Sequence, residues 1–423
     1  MKTLFSILLI LPLLSFSQEL NYAREVINKL TSEELAGRGY VNHGDQKAAS
    51  FIQEEFKKIG LKPVGKSFIQ NFETSINTFP SSMELSVNGK TLIPGEDYII
   101  DPSSPSIKGQ YQTVLLSIED LQDQNELVNV LRAASGKFIV IPSYDKSAFS
   151  KDQQKELNEV INLIKYHPEI TAAGTLILTE EKLTWSGATF ISPRPTFTIK
   201  SDRSWGKIQS VKVNVKNKFF ESYKAQNVIG MIEGERKDSL IVLTAHYDHL
   251  GMMGKEAMFP GANDNASGVA MLLNLAKHYE QNTPKFTTVF IAFGGEELGL
   301  LGSKYFVDHP LIDLSKIKFL INFDIAGTGD DGIQVVNGKI FKKQFDQLVA
   351  INEQFDLLKQ VKIRGESCNS DHCLFYQQGV PSFFIYTLGG IQAYHDIYDK
   401  AETLPLTEFE DYFKLMTDFI KTL

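Results

Sequence analysis

Four apolar runs of strand length, at 240–245, 287–293, 318–323 and 381–386, each lead into residues of the kinds that bind metal ions. The first runs into His246-Tyr247-Asp248-His249 and the second into Gly294-Gly295-Glu296-Glu297. The third ends at Asp324, and the fourth reaches Tyr394-His395 through Gly389-Gly390. Helical periodicity separates them, at about 267–279 and 342–355, with a last helix from about 406. Strands alternating with helices predict an α/β fold, a mainly parallel mixed sheet flanked by helices on both faces. In such sheets ligands bind beyond the carboxyl ends of the strands, so residues far apart in sequence can share one edge.

Histidine and carboxylate donors without thiolate suit Zn²⁺ or a similar ion at a hydrolytic site. A two-ion site needs a bridging carboxylate and further donors on each side. Asp264, in Gly261-Ala262-Asn263-Asp264-Asn265-Ala266-Ser267-Gly268, is expected to bridge. His246 and Asp324 would complete one site, and Glu297 and His395 the other. Two zinc ions, three carboxylates and a bridging hydroxide sum to zero charge, which lowers the cost of burying the cluster. Glu296 is expected to face the water as general base, and Asp248 to accept the other ring N–H of His246. Without metal the carboxylates of Asp248, Asp264, Glu296, Glu297 and Asp324 are expected to raise one another's pKa values.

Taken singly, each of these residues has a plainer reading: a His-x-Asp pair inside a core, a solvated Glu-Glu face, Asp264 as a helix cap. Their joint placement at successive strand ends argues against all three at once. His249 is expected to be structural, since the donor set is complete without it. Asp371 is expected to cap a short helix that Gly379 ends. His372 is placed near the substrate, and Arg38 either anchors the structure or touches the site. Cys368 and Cys373 could pair in an oxidising compartment. The Gly294-Gly295 pair does not extend to a dinucleotide fingerprint.

The rest of the chain reads as two further parts. From 20 to 60 the pattern is helical, with Ala23, Val26, Ile27 and Leu30 on one face and Gly60 as the stop of a second helix. From about 74 to 220 the texture becomes β-rich, with a hairpin signal at Asn88-Gly89, buried strands at 136–141 and 174–178, and one helix at about 151–166. Both tryptophans, Trp185 and Trp205, fall in this block, so their fluorescence is expected to report on it and not on the metal site. The domain reading is residues 1–17 as a signal peptide, 18–74 with 221–423 as a catalytic domain, and 75–220 as an inserted domain. The leader reading rests on Lys2, the short apolar run that follows and small residues before position 18. It implies a protein exported to the periplasm or beyond, with no stable membrane insertion. The net charge of −8, without basic runs, argues against nucleic acid as a partner. Oligomeric state is left open.

The stretches around His246, Asp264, Glu296-Glu297, Asn322-Phe323-Asp324 and Tyr394-His395 resemble the co-catalytic di-zinc exopeptidase family. That family includes aminopeptidase Y, secreted bacterial di-zinc aminopeptidases and glutamate carboxypeptidase II. Ser370-Asp371-His372 before Gly379-Val380-Pro381, and Leu35-Ala36-Gly37-Arg38-Gly39, share the resemblance. After His395 stands Asp396-Ile397, where the family often has Thr-Pro. The resemblance implies two zinc ions per chain in the roles above, a peptide substrate, and an exported aminopeptidase that uses a metal-bridging hydroxide. It also implies an inserted block in the place of the protease-associated module. The alternatives are a carboxypeptidase of the same family, a single-zinc acyltransferase resembling glutaminyl cyclase, and a non-catalytic binding module.

Overall fold

The computed structural model describes residues 11–201 and 205–423, with side chains from residue 19 onward. The expected leader therefore falls outside the described residues over 1–10 and outside the described side chains throughout. Among the described residues no helix is long and apolar enough to cross a membrane.

A nine-stranded mixed sheet organises the chain. At its centre Phe286–Phe293, Arg236–His246, Ile317–Asp324 and Ser382–Thr387 lie side by side and parallel. Antiparallel strands flank this core: Lys218–Ile232 beside Phe286–Phe293, and Ile333–Val336 beside Ser382–Thr387. The central strands are buried on both faces, which explains why they read as continuous apolar runs and not as alternating ones. Their side chains still alternate in direction. Ile241, Leu243 and Ala245 pack on helices Gly44–Ile59, Gly268–Gln281 and Phe409–Thr422. Val242 and Leu320 pack on the other face, against Phe306 and Phe375. Leu243, Phe290 and Ile321 are fully buried, each contributing roughly 1.5–3 kcal/mol.

A second, eight-stranded sheet lies wholly within residues 84–215. It joins the main sheet through Ile69–Thr78 and Lys218–Ile232, two long strands paired antiparallel. The Asn88-Gly89 signal forms its hairpin between Glu84–Val87 and Lys90–Thr91, both turn residues taking positive φ. The expectation of a single helix here is corrected: Ile118–Gln122 and Gln124–Ala133 precede Lys151–Tyr166. Gln124–Ala133 buries no residue fully, and its start is set by Asp123 accepting from two backbone N–H groups. The block does not stand apart. Its core, around Phe79, Phe138 and Trp185, is continuous with Leu250, Met253 and Phe259, which lie between the His246 strand and the Asp264 loop.

Candidate metal centre

Strand register places the first pair of donors. Thr244 pairs with Asn322, so His246 and Asp324, two residues on, end adjacent strands on the same face. Beneath them the Thr244 hydroxyl donates to Asn322 Oδ1 at 2.6 Å, and Asn322 Nδ2 donates to Ser370 at 2.8 Å. This buried polar layer fixes both strand ends. Above it, His246 Nε2 stands 3.4 Å from Asp264 Oδ1 and 3.5 Å from Asp324 Oδ1.

Asp264 arrives on the turn before helix Gly268–Gln281, and that turn is held from all sides. Asp399 accepts the backbone N–H groups of Asn263 and Asp264 at 2.8 and 2.9 Å. Arg38, fully buried, donates to the carbonyls of Leu30, Tyr247, Pro260, Gly261 and Asp264. Arg38 is therefore an anchor of backbone, which settles the choice left open by sequence. Asn265 Nδ2 donates to the Phe323 carbonyl at 3.0 Å, and Ser267 accepts the N–H of Ala326 at 2.7 Å. The Asp264 turn is thus stitched to the end of the Asp324 strand.

The other half is built on turns. After Phe293 the chain reverses through Gly294-Gly295. A Cβ on Gly294 would lie 2.6 Å from the Gln226 carbonyl oxygen, and Gly295 has φ +72°. Glu297 Oε2 then lies 3.2 Å from His395 Nε2, which is also 3.1 Å from Asp264 Oδ2. Asp264 thereby faces His246 with one oxygen and His395 with the other.

Several supporting residues differ from expectation. The Asp248 carboxylate does not orient His246: its Oδ1 is 3.9 Å from Nδ1, and the ring is met by the Asp248 carbonyl at 3.2 Å. The carboxylate instead accepts the backbone N–H groups of Glu296 and Glu297, at 3.1 and 3.4 Å. The strand ends at His246, and beyond it the Asp248 carboxylate turns to the next loop. Asp371 does not cap its helix. It accepts from Ser303 at 2.5 Å, and its other oxygen is buried without a hydrogen-bond partner. His249 Nδ1 lies 2.7 Å from Glu297 Oε1, so it contacts a donor without being needed to complete the set. His372 stacks on Phe384 and its Nε2 meets the Ser367 carbonyl, and burial pulls it down to about 4. Cys368 and Cys373 are joined by a disulfide. Trp185 reverses the expectation for the tryptophans: its backbone is hydrogen-bonded to His395. Asp399 and Trp185 carried no signal in sequence, because both act through backbone groups of distant loops.

Electrostatics follow the geometry. Burial would neutralise His395, but Glu297 and Asp264 push it up to about 11. His246 rises likewise, against its burial, through Glu296 and Asp324. Burial pushes Asp248 up to about 7, and burial with neighbouring carboxylates raises Glu296 and Asp324. Mutual repulsion does not raise all five carboxylates as expected. Burial adds to the repulsion, yet the two imidazoles hold Asp264 well below its usual range, and His395 and His249 bring Glu297 to about 2.

The donor set fits divalent ions. A carbonyl can only accept, so His246 and, opposite the Trp185 carbonyl, His395 carry a proton on Nδ1 and turn Nε2 toward carboxylates. In the metal-free chain the raised imidazoles meet these carboxylates through a second proton on Nε2, the place a divalent ion would take. Asp324 Oδ1, buried with no hydrogen-bond partner, is left for the same purpose. Tetrahedral ligands about 2.0–2.1 Å from an ion stand roughly 3.3–3.4 Å apart, and the four spacings here run from 3.1 to 3.5 Å. His246, Asp264 and Asp324 form one such group; Asp264 and Glu297 converge with His395 on one side and with His249 on the other.

Residues 227–420 match Peptidase family M28. Aminopeptidase YwaD of Bacillus subtilis (strain 168) is 29% identical over 197 residues, covering 44% of this chain and 41% of that protein. The chain spans less than half the length of the curated relatives it matches. Over nearly the whole chain the fold matches two solved structures. BSAP, a zinc aminopeptidase from Bacillus subtilis, has a TM-score of 0.67 at 20% identity, over 95% of this chain and 94% of that one. The Peptidase M28 precursor from Shewanella amazonensis SB2B has a TM-score of 0.70 at 16% identity, over 96% and 95%. All the donors described above lie inside the segment that matches Peptidase family M28.

Proposed function

We propose that this protein is an exported zinc exopeptidase of the aminopeptidase type, releasing N-terminal residues from peptides. One observation carries the reading: two imidazoles and three carboxylates from separate segments converge about Asp264 in two groups that share it. The names of the relatives, an aminopeptidase and a zinc aminopeptidase, support it. His246, Asp264 and Asp324 would hold one zinc, and Asp264, Glu297 and His395 the other. Bound there, two zinc ions would polarise the scissile carbonyl and bring the ionisation of water toward neutral pH. Glu296 takes the proton of the attacking water and delivers it to the departing amine nitrogen, so the carbon–oxygen bond forms as the carbon–nitrogen bond breaks. Asp248 fixes the backbone of Glu296 and Glu297, and Asp399 and Arg38 fix the turn of Asp264. Export rests on residues 1–17 and is consistent with the Cys368–Cys373 disulfide. Residues 18–74 and 221–423 form the catalytic domain in this reading, and 75–220 a protease-associated-like insert.

The test is metal analysis of the purified chain beside hydrolysis of free and N-acetylated peptides. Two zinc per chain with cleavage of the free peptides only is the expected result. Trimming of acetylated peptides from the carboxyl end would make it a carboxypeptidase. One zinc with cyclisation of N-terminal glutamine would make it an acyltransferase.

A further inference from the structure

The inserted block meets the candidate metal centre through the short segment 182–187. There Trp185 and His395 make a reciprocal pair: the Trp185 N–H donates to the His395 carbonyl at 2.9 Å, and His395 Nδ1 donates to the Trp185 carbonyl at 3.1 Å. The second of these bonds occupies Nδ1 and leaves Nε2 facing Asp264 and Glu297. Three residues earlier, the Lys182 ammonium lies 2.6 Å from the Asp396 carboxylate and donates to the Gln392 carbonyl at 2.7 Å. The same short segment of the block thus grips both sides of the His395 loop.

The two partners differ in how they are held. Trp185 is 6% exposed, its indole N–H donates to the Ile100 carbonyl at 2.8 Å, and its ring stacks on Phe259 at 4.9 Å. His395 sits in an irregular segment with φ +54° and keeps 17% of its side chain exposed. Left-handed backbone at a non-glycine residue persists only where its surroundings hold it. Here both hydrogen bonds with Trp185 come from the block, beside the contacts His395 makes with Asp264 and Glu297.

We infer that the inserted block completes the metal centre, with Trp185 as the positioning residue for His395 and Lys182 as its brace. The ion between Glu297 and His395 is then bound only as tightly as this contact is intact, while the ion beside His246 and Asp324 is indifferent to it. The inference rests on the two-zinc reading above.

Zinc titration of the full-length, chelator-stripped chain tests it. In Trp205→Phe, where Trp185 is the remaining tryptophan, emission should change with one of the two zinc equivalents. In Trp185→Phe the emission of Trp205 should stay constant. Lys182→Ala should weaken one zinc site by about 10-fold, the scale on which groups orienting a ligand act, and leave the second site and the thermal midpoint of the stripped protein unchanged. Lys182→Arg should restore it. A merely structural contact would move the midpoint and not the affinity of a single site. Should Trp185→Phe fail to fold, Trp205→Phe and Lys182→Ala decide. Trp185 emission that ignores zinc, or wild-type affinities at both sites in Lys182→Ala, overturns the inference while the two-zinc reading stands. A wild-type chain that binds no zinc removes that reading, and this inference with it.

Discussion

The two halves of the candidate metal centre are built by different means. His246 and Asp324 end neighbouring parallel strands, in register over a buried Thr244–Asn322–Ser370 layer. Glu297 and His395 sit on turns, and each is held by groups from elsewhere: the Asp248 carboxylate for the first, the Trp185 carbonyl for the second. His246 has 2% of its side chain exposed and His395 17%. One half is a property of the sheet, fixed by the same hydrogen bonds that make the fold. The other is assembled from loops, and its precision is borrowed from neighbours that can be removed without disturbing a strand.

The sharpest way to break this contrast is through the group the halves share. Asp264→Asn should drop zinc content below one per chain and bring peptide hydrolysis to background, because both halves lose a charged donor. Retention of two zinc ions would dissolve the two-group description. Next comes Glu296→Gln, which should lower kcat by about 10²- to 10⁴-fold while zinc analysis still returns two per chain. A parallel loss of metal would make Glu296 a ligand and not the proton carrier.

Asp248→Ala separates the halves directly. It releases the backbone of Glu296 and Glu297 and should weaken the Glu297–His395 site by about 10- to 100-fold, sparing the other. Equal weakening of both sites, read by titration calorimetry, would contradict the distinction. The gentlest test is the pH dependence of thermal stability after chelation. Asp248 has a folded pKa pushed up to about 7, above its unfolded value of about 3.9, so the folded state binds more protons and its stability falls as pH rises between the two. His395, at about 11 in the folded chain, adds stability that is complete below about pH 6.5 and is lost on the way to its folded value. Glu297, held at about 2, opposes these only on acidification. The melting temperature of chelated protein should therefore decline from pH 5 to 8, with a flatter profile once zinc is restored.

The contrast also explains what could be read from sequence. The sheet-borne donors announced themselves, because an apolar run that stops at a histidine or aspartate records both the strand and its end. Asp264 was marked by its glycine-framed turn, and Glu296-Glu297 by the run before them. The supports were not readable. Asp399 meets two backbone N–H groups, Trp185 exchanges hydrogen bonds with a loop 210 residues away, and Asp248 serves a turn 48 residues on. Backbone partners impose no pattern on side chains, so nothing in the composition of these segments reveals them. Even Asp371, which sequence assigns to a helix cap, is spent on Ser303 in the adjoining helix. Periodicity marked the long half-buried helices, and missed the short Ile118–Gln122 and Leu301–Asp308 and the surface helix Gln124–Ala133.

The turn that carries Asp264 is pinned from one side by Arg38 and from the other by Asp399. The two clamps stand far apart in sequence, at positions 38 and 399. The turn that carries Asp264 is therefore held from both sides only once residue 399 has been joined to the chain.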